Sequence, residues 1–114
     1  MNREAMARIV DFLFEHRAPE LPPDGLAEVF DLLGNCLEDG GRSLDELAVD
    51  WLKGNDHEKV QVMLERTGWF PLNSLVEMTY LLAEISRRWP DLAERCNELI
   101  QLRSRHADPA GVIR

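Results

Sequence analysis

Residues 73–90, NSLVEMTYLLAEISRRWP, decide the fold class of this chain. The stretch opens with a capping box, in which the Ser74 hydroxyl and the Glu77 carboxylate each satisfy a backbone amide at a helix start. Pro90 ends the stretch because its ring disfavours helical angles at the preceding residue. Between these signals, apolar side chains recur at alternating spacings of three and four residues, typical of a helix that buries one face: Leu75, Met78, Leu82, Ile85 and Trp89.

Five further segments show a similar apolar periodicity, and none alternates with the period of two that a half-buried strand requires. We therefore predict an all-α fold, a compact bundle of about six short helices. The expected helices span residues 2–16, 24–39, 43–53, 55–67, 74–89 and 91–105. The length of 114 residues fits one domain. We expect a single helical domain over residues 1–105 and a flexible C-terminal tail over residues 106–114.

Local signals add detail to this prediction. Asp24 is placed to cap the second helix, and Ser43 with Glu46 forms a second capping box at the third. Cys36 and Cys96 lie within apolar patterns, so we expect two buried thiols. The first helix is expected to bury one face, with His16 partly buried on it: Ala5, Ile9, Phe12, Leu13 and His16.

The chain also shows a weak internal similarity. With a shift of 49 residues, residues 21–33 align with residues 70–82, with identities that include Pro22 with Pro71 and Leu26 with Leu75. Neighbouring offsets align the first helix with the fourth and the third with the sixth. Amphipathic helices resemble one another, which leaves chance as the alternative. The hypothesis is a duplication that yields two similar three-helix halves.

Composition excludes several functions. The net charge of −8 argues against direct nucleic-acid binding and against an anionic membrane surface. The first residues lack the pattern of a signal peptide, which favours a cytoplasmic location. No histidine or cysteine has metal-ligand spacing, and no phosphate loop or nucleophile elbow is present. We therefore expect neither an enzyme nor a bound metal or cofactor.

The acidic residues are unevenly distributed. Residues 20–58 contain eleven carboxylates and only two basic residues, Arg42 and Lys53. Along the second helix, Asp24, Glu28, Asp31 and Glu38 have spacings that place them on one face. Trp69 lies in an apolar connector and is either cover for the core or an exposed binding residue. The candidate partner-binding residues are Asp24, Glu28, Asp31, Glu38, Asp39, Asp45, Glu46, Asp50 and Trp69.

These features favour a small acidic protein-interaction module, of the inhibitor, immunity-protein, chaperone or adaptor type. It would bind a basic protein partner through the second and third helices, and neutralising Asp31, Glu38, Glu46 and Asp50 together should slow that association. Two alternatives remain. One is a nucleic-acid mimic that blocks a DNA- or RNA-binding protein. The other is a homodimeric structural domain that pairs through the apolar connector and the fifth helix.

Overall fold

The computed structural model describes residues 2–67 and 69–111, with side chains to residue 105. The regular structure of these residues is entirely helical, which confirms the predicted all-α class. The elements in chain order are α1 (Arg3–Glu15), α2 (Pro23–Cys36), α3 (Arg42–Leu52), α4 (His57–Leu64), α5 (Leu75–Arg88), the short 3₁₀ helix η1 (Pro90–Leu92) and α6 (Ala93–Gly111). None of these helices is both long and apolar enough to cross a membrane.

The chain divides into two compact units, Met1–Trp69 and Phe70–Arg114. The first unit contains α1–α4, and the second contains α5, η1 and α6. The single-domain prediction and the duplication hypothesis stay predictions. The sixth helix continues past the predicted end at Arg105 to Gly111. Residues 112–114 of the predicted tail lie outside the described residues.

Helix starts confirm some of the predicted caps and correct others. The Ser74 hydroxyl accepts the Glu77 amide at 3.1 Å, as predicted. In contrast, α2 is capped by Pro22 with Pro23 as its first residue, and Asp24 lies inside the first turn. Proline suits this position because its fixed φ is already helical and its missing N–H is not needed there.

The predicted capping box at Ser43 is wrong. Helix α3 begins earlier, at Arg42, after Gly41 in a left-handed conformation with φ of 90°. The Asp39 carboxylate instead accepts the amides of Gly41 at 2.8 Å and Ser43 at 3.2 Å. Asp39 can do so because α2 ends at Cys36 rather than at Asp39, which leaves Asp39 in the connecting turn.

The core of the first unit forms where α3 packs on α1 and α4, and α2 packs on α3 and α4. Trp51 is part of this core, with its ring edge-on to Phe14 at 5.5 Å and to Phe30 at 6.0 Å between centroids. Glycine allows α2 and α3 to approach closely, because a Cβ on Gly41 would lie 3.2 Å from the Gly34 Cα. This contact brings the end of α2 against the start of α3.

The predicted inward face of α1 is wrong. The structure buries Met6, Val10 and Phe14, whereas Phe12 is 59% exposed and His16 is exposed. The helix carries two apolar stripes, and the one in contact with the core has the regular spacing of four residues. Cys36 is also exposed, because the buried side of α2 holds Leu26, Ala27, Phe30 and Gly34 instead.

In the second unit, α5 packs along α6 through the predicted seam of Met78, Leu82 and Ile85. Cys96 is buried as expected, and Leu92 and Leu99 are buried beside it on the same side of the chain. Burial raises the pKa of the Cys96 thiol. Arg103 on α6 donates to the Pro71 carbonyl at 2.7 Å, which anchors the start of the unit to its last helix.

Candidate functional site

Arg66 is the centre of the most elaborate polar cluster in the first unit. It follows α4, and its side chain is only 6% exposed. Its Nε donates to Asp31 on α2 at 2.7 Å, and its Nη1 donates to Asp45 on α3 at 3.1 Å. Asp31 also accepts the Thr67 amide at 3.0 Å. A single guanidinium therefore links three helical segments that are distant in sequence.

Trp69 completes this cluster. The Arg66 guanidinium lies 4.5 Å from the centroid of its ring, a cation–π distance. Trp69 is half-buried, so the structure places it between the two predicted alternatives of core cover and exposed residue. Together with Asn35 and Thr67, these side chains line a polar cleft of about 260 Å³.

The two carboxylates that bind Arg66 differ in their electrostatics. Burial raises the pKa of Asp45 above its usual range, although the charge and hydrogen bond of Arg66 oppose this shift. Asp31 makes more hydrogen bonds, since its second oxygen accepts from both the Thr67 amide and, at 3.4 Å, the Thr67 hydroxyl. Asp31 is thus the better-satisfied partner of the guanidinium.

The outer face of α2 forms a different kind of surface. Asp24 and Glu28 are exposed there, and their carboxylates have no ion-pair or hydrogen-bond partner among the described residues. Beside them lie two exposed apolar side chains, Val29 at 43% and Leu32 at 59%. At about 100° per residue, Leu32 lies only about 40° around the helix from Glu28. We call these four residues the α2 face.

The outer side of α3 is electrically mixed. Glu46 is exposed and has no partner among the described residues, but Arg42 and Lys53 are exposed one turn before it and two turns after it. Asp50 forms an ion pair with Arg3 of α1. Helix α2 itself contains three carboxylates and no basic residue. Of these two helices, α2 therefore carries more of the unopposed negative charge.

The structure separates the predicted site residues into groups. Asp31, Asp45 and Trp69 meet at Arg66, Asp39 binds backbone amides, and Asp50 binds Arg3. Glu38 is exposed but lies beyond the end of α2, so it does not extend the predicted acidic strip along that helix. Asp24 and Glu28 remain on one open helical face, and Glu46 lies on α3.

Sequence reasoning missed Arg66 and the exposed apolar residues. Arg66 lies 35 positions from Asp31 and 21 from Asp45, so no local pattern could reveal the cluster. A signal for Val29 and Leu32 was present, because the apolar residues of α2 extend over more of the helix surface than one buried stripe requires. Among the described residues, no group of three or more His, Cys, Asp or Glu side chains could hold a metal ion.

Comparison of the chain with protein-family models, with curated proteins and with solved structures gives no match. The function of the chain is therefore inferred from the surfaces described above.

Proposed function

We propose that this chain is a protein-interaction module that binds a basic protein partner, with α2 as the main contact and α3 at its edge. The observation that supports this most directly is the α2 face. It combines two carboxylates without partners among the described residues with two exposed apolar side chains on a helix that has no basic residue. This combination offers both attraction and an apolar contact to one partner.

The charge of the first unit supports a basic partner. Met1–Trp69 contains fifteen carboxylates and seven basic residues, so it carries the whole net charge of −8. Such a charge accelerates encounter with a basic surface and makes the association rate fall as salt rises. Arg66 offsets part of the negative charge near the end of α2, which leaves Asp24 and Glu28 as the strongest acidic contacts.

The apolar part of the α2 face gives the contact its stability. Protein interfaces combine an apolar centre with a polar rim, and the apolar residues affect dissociation more than encounter. Leu32 is the better candidate for the central contact because it is the more exposed of the pair. The fitting partner surface is a basic amphipathic segment, with apolar side chains for Val29 and Leu32 and cations for Asp24 and Glu28.

The structure changes which variant should test this proposal. Asp31 binds Arg66 and Asp50 binds Arg3, so the fourfold neutralisation suggested by sequence would disturb the fold as well as the surface. The double variant Asp24→Asn and Glu28→Gln avoids this problem, because neither side chain has a partner among the described residues. The control is Glu4→Gln with Glu94→Gln, an equal charge change at exposed positions on α1 and α6.

The probe is a synthetic amphipathic helix of leucine and lysine, and association is followed at low salt (about 20 mM) and high salt (about 300 mM). At low salt we expect the α2 double variant to associate about tenfold more slowly than the control variant. Leu32→Gln should speed dissociation, whereas Tyr80→Gln, at another exposed apolar position, should not. Equal rates for the α2 and control variants would contradict the proposal.

A further inference from the structure

The apolar stripe on the outer side of α1 is a structural feature that the proposed function leaves unused. Ile9, Phe12 and Leu13 line a shallow apolar depression together with the stem of Arg8. Phe12 is 59% exposed, and its ring lies 4.4 Å from that of His16, centroid to centroid. The core contacts of α1 come from Met6, Val10 and Phe14, so the fold does not require an apolar residue at position 12. We call Ile9, Phe12 and Leu13 the α1 stripe.

Two charged residues along one edge of the α1 stripe, Arg8 and Glu15, are self-complementary. Asp11, on the same side of the helix, is paired with Lys59 of α4. Arg8 and Glu15 are seven positions apart, which places them about 20° from each other around the helix and about 10 Å apart along it. Both are exposed, and their midpoint falls beside Phe12. Arg8 has a weak internal partner in Glu4 at 3.7 Å, with both side chains more than 70% exposed. Glu15 has no partner among the described residues.

An antiparallel pair of α1 helices related by a two-fold axis would place both charges of each copy opposite charges of the other sign. With the axis near Phe12, the two Phe12 rings face each other, and each Arg8 lies opposite Glu15 of the other copy. A two-fold axis repeats each such contact, so one pair of residues supplies two ion pairs. A partner with a surface of one sign would satisfy one of these charges and repel the other.

We propose that the α1 stripe is the site of reversible self-association, in which a second copy of this chain packs antiparallel against α1. A helix of 13 residues is about 20 Å long. The contact is therefore smaller than a standard stable interface, and we expect a dissociation constant on the order of 0.1 mM. Unlike binding of a basic partner, this association should persist at high salt, because salt screens the repulsion between two copies of charge −8.

The test is sedimentation of the full chain over micromolar to millimolar concentration at low and high salt. Arg8→Glu alone and Glu15→Arg alone should each weaken the dimer about tenfold, since two attractions become two repulsions. An equimolar mixture of these two variants should restore association, as should the variant that carries both changes. Phe12→Ser should leave only monomer. Tyr80→Ser and Glu94→Arg are controls that should leave the dimer constant unchanged at high salt, where the altered net charge of Glu94→Arg is screened.

All of these substitutions are at exposed positions, and circular dichroism of each variant would verify that the helices remain. Two results would overturn the proposal. One is that the chain sediments as a monomer at every concentration, and the other is a dimer that none of the α1 substitutions affects. A dimer weakened by either single charge reversal but not restored in the mixture would also overturn the antiparallel arrangement. None of these outcomes depends on the binding of a basic partner by α2.

Discussion

The two units of this chain use ion pairs differently. In the first unit, five pairs join helical segments across 21 to 48 positions of sequence, and one weak pair, Arg8 with Glu4, lies within α1. The five longer-range pairs link Arg3 with Asp50, Arg17 with Glu58, Lys59 with Asp11, and Arg66 with Asp31 and Asp45. In the second unit, three pairs lie within one helix, three or four positions apart: Arg87 with Glu84, Arg88 with Glu84, and Arg95 with Glu98.

This difference separates charged residues that connect helices from charged residues that do not. The second unit contains six acidic and six basic residues, which are balanced. The first unit uses four of its seven basic residues to connect helices, and its fifteen carboxylates still exceed what those connections need. Carboxylates such as Asp24 and Glu28 add no such connection. Their position on one open helix face favours recognition over stability as their role.

The strongest test of this comparison removes one arginine from each unit. Arg66→Met should lower the free energy of unfolding by about 3 kcal/mol, because it leaves two partly buried carboxylates without their cation. Arg87→Met removes an exposed pair within one helix and a cation from the last turn of α5, and it should cost less than about 1 kcal/mol. Urea denaturation of both variants measures the difference. Equal losses would contradict the distinction between the two units.

A smaller effect should separate the two carboxylates that share Arg66. Asp31→Asn should cost about 2 kcal/mol, because Asp31 accepts hydrogen bonds from Arg66 and Thr67. Asp45→Asn should cost less than about 1 kcal/mol, since Asp45 accepts one hydrogen bond among the described residues, from the Arg66 Nη1, and its ionised form is already disfavoured by burial. Urea denaturation at neutral pH compares the two variants. A greater loss for Asp45→Asn would show that the Arg66 cluster depends on α3 more than on α2.

The sequence predicted α5 well because all of its signals agree. Ser74 caps the helix, the seam from Met78 to Ile85 is buried, and Arg87 and Arg88 lie in the last turn, where the helix dipole favours cations. These are local effects, and they act over the three or four residues that a sequence pattern can reveal. The predictions of an all-α fold and of about six helices both depend on such local effects.

The errors arise where a local pattern allows two outcomes. Helix α1 has two apolar stripes, and only its contact with α3 decides that Met6, Val10 and Phe14 are buried. The residues of the candidate site were equally hard to assign from local patterns. Asp24 and Glu28 were predicted from helical spacing alone, whereas the binding of Asp31 and Asp45 by Arg66 depends on how α2, α3 and the end of α4 meet. Tertiary contacts of this kind have no local signal.

The smallest predicted effect is a pH response of opposite sign in the two units. Burial holds the pKa of folded Asp45 above its unfolded value, so ionisation of Asp45 opposes folding. As pH falls through that raised pKa toward the unfolded value, the contribution of Asp45 becomes more favourable, so the cost of Asp45→Asn relative to the wild type should grow. The pKa of Glu84 is instead lowered, chiefly by its hydrogen bond from Arg87. The stabilisation by ionised Glu84 is present above the unfolded pKa and is lost as pH falls. Glu84→Gln should therefore destabilise the fold at neutral pH and lose that effect in acid.

Urea denaturation of each variant from pH 7 to about pH 3 measures both trends against the wild type. Trends of the same sign would show that Asp45, like Glu84, is stabilised in its ionised form, and that the first unit also uses this carboxylate as a favourable ion pair.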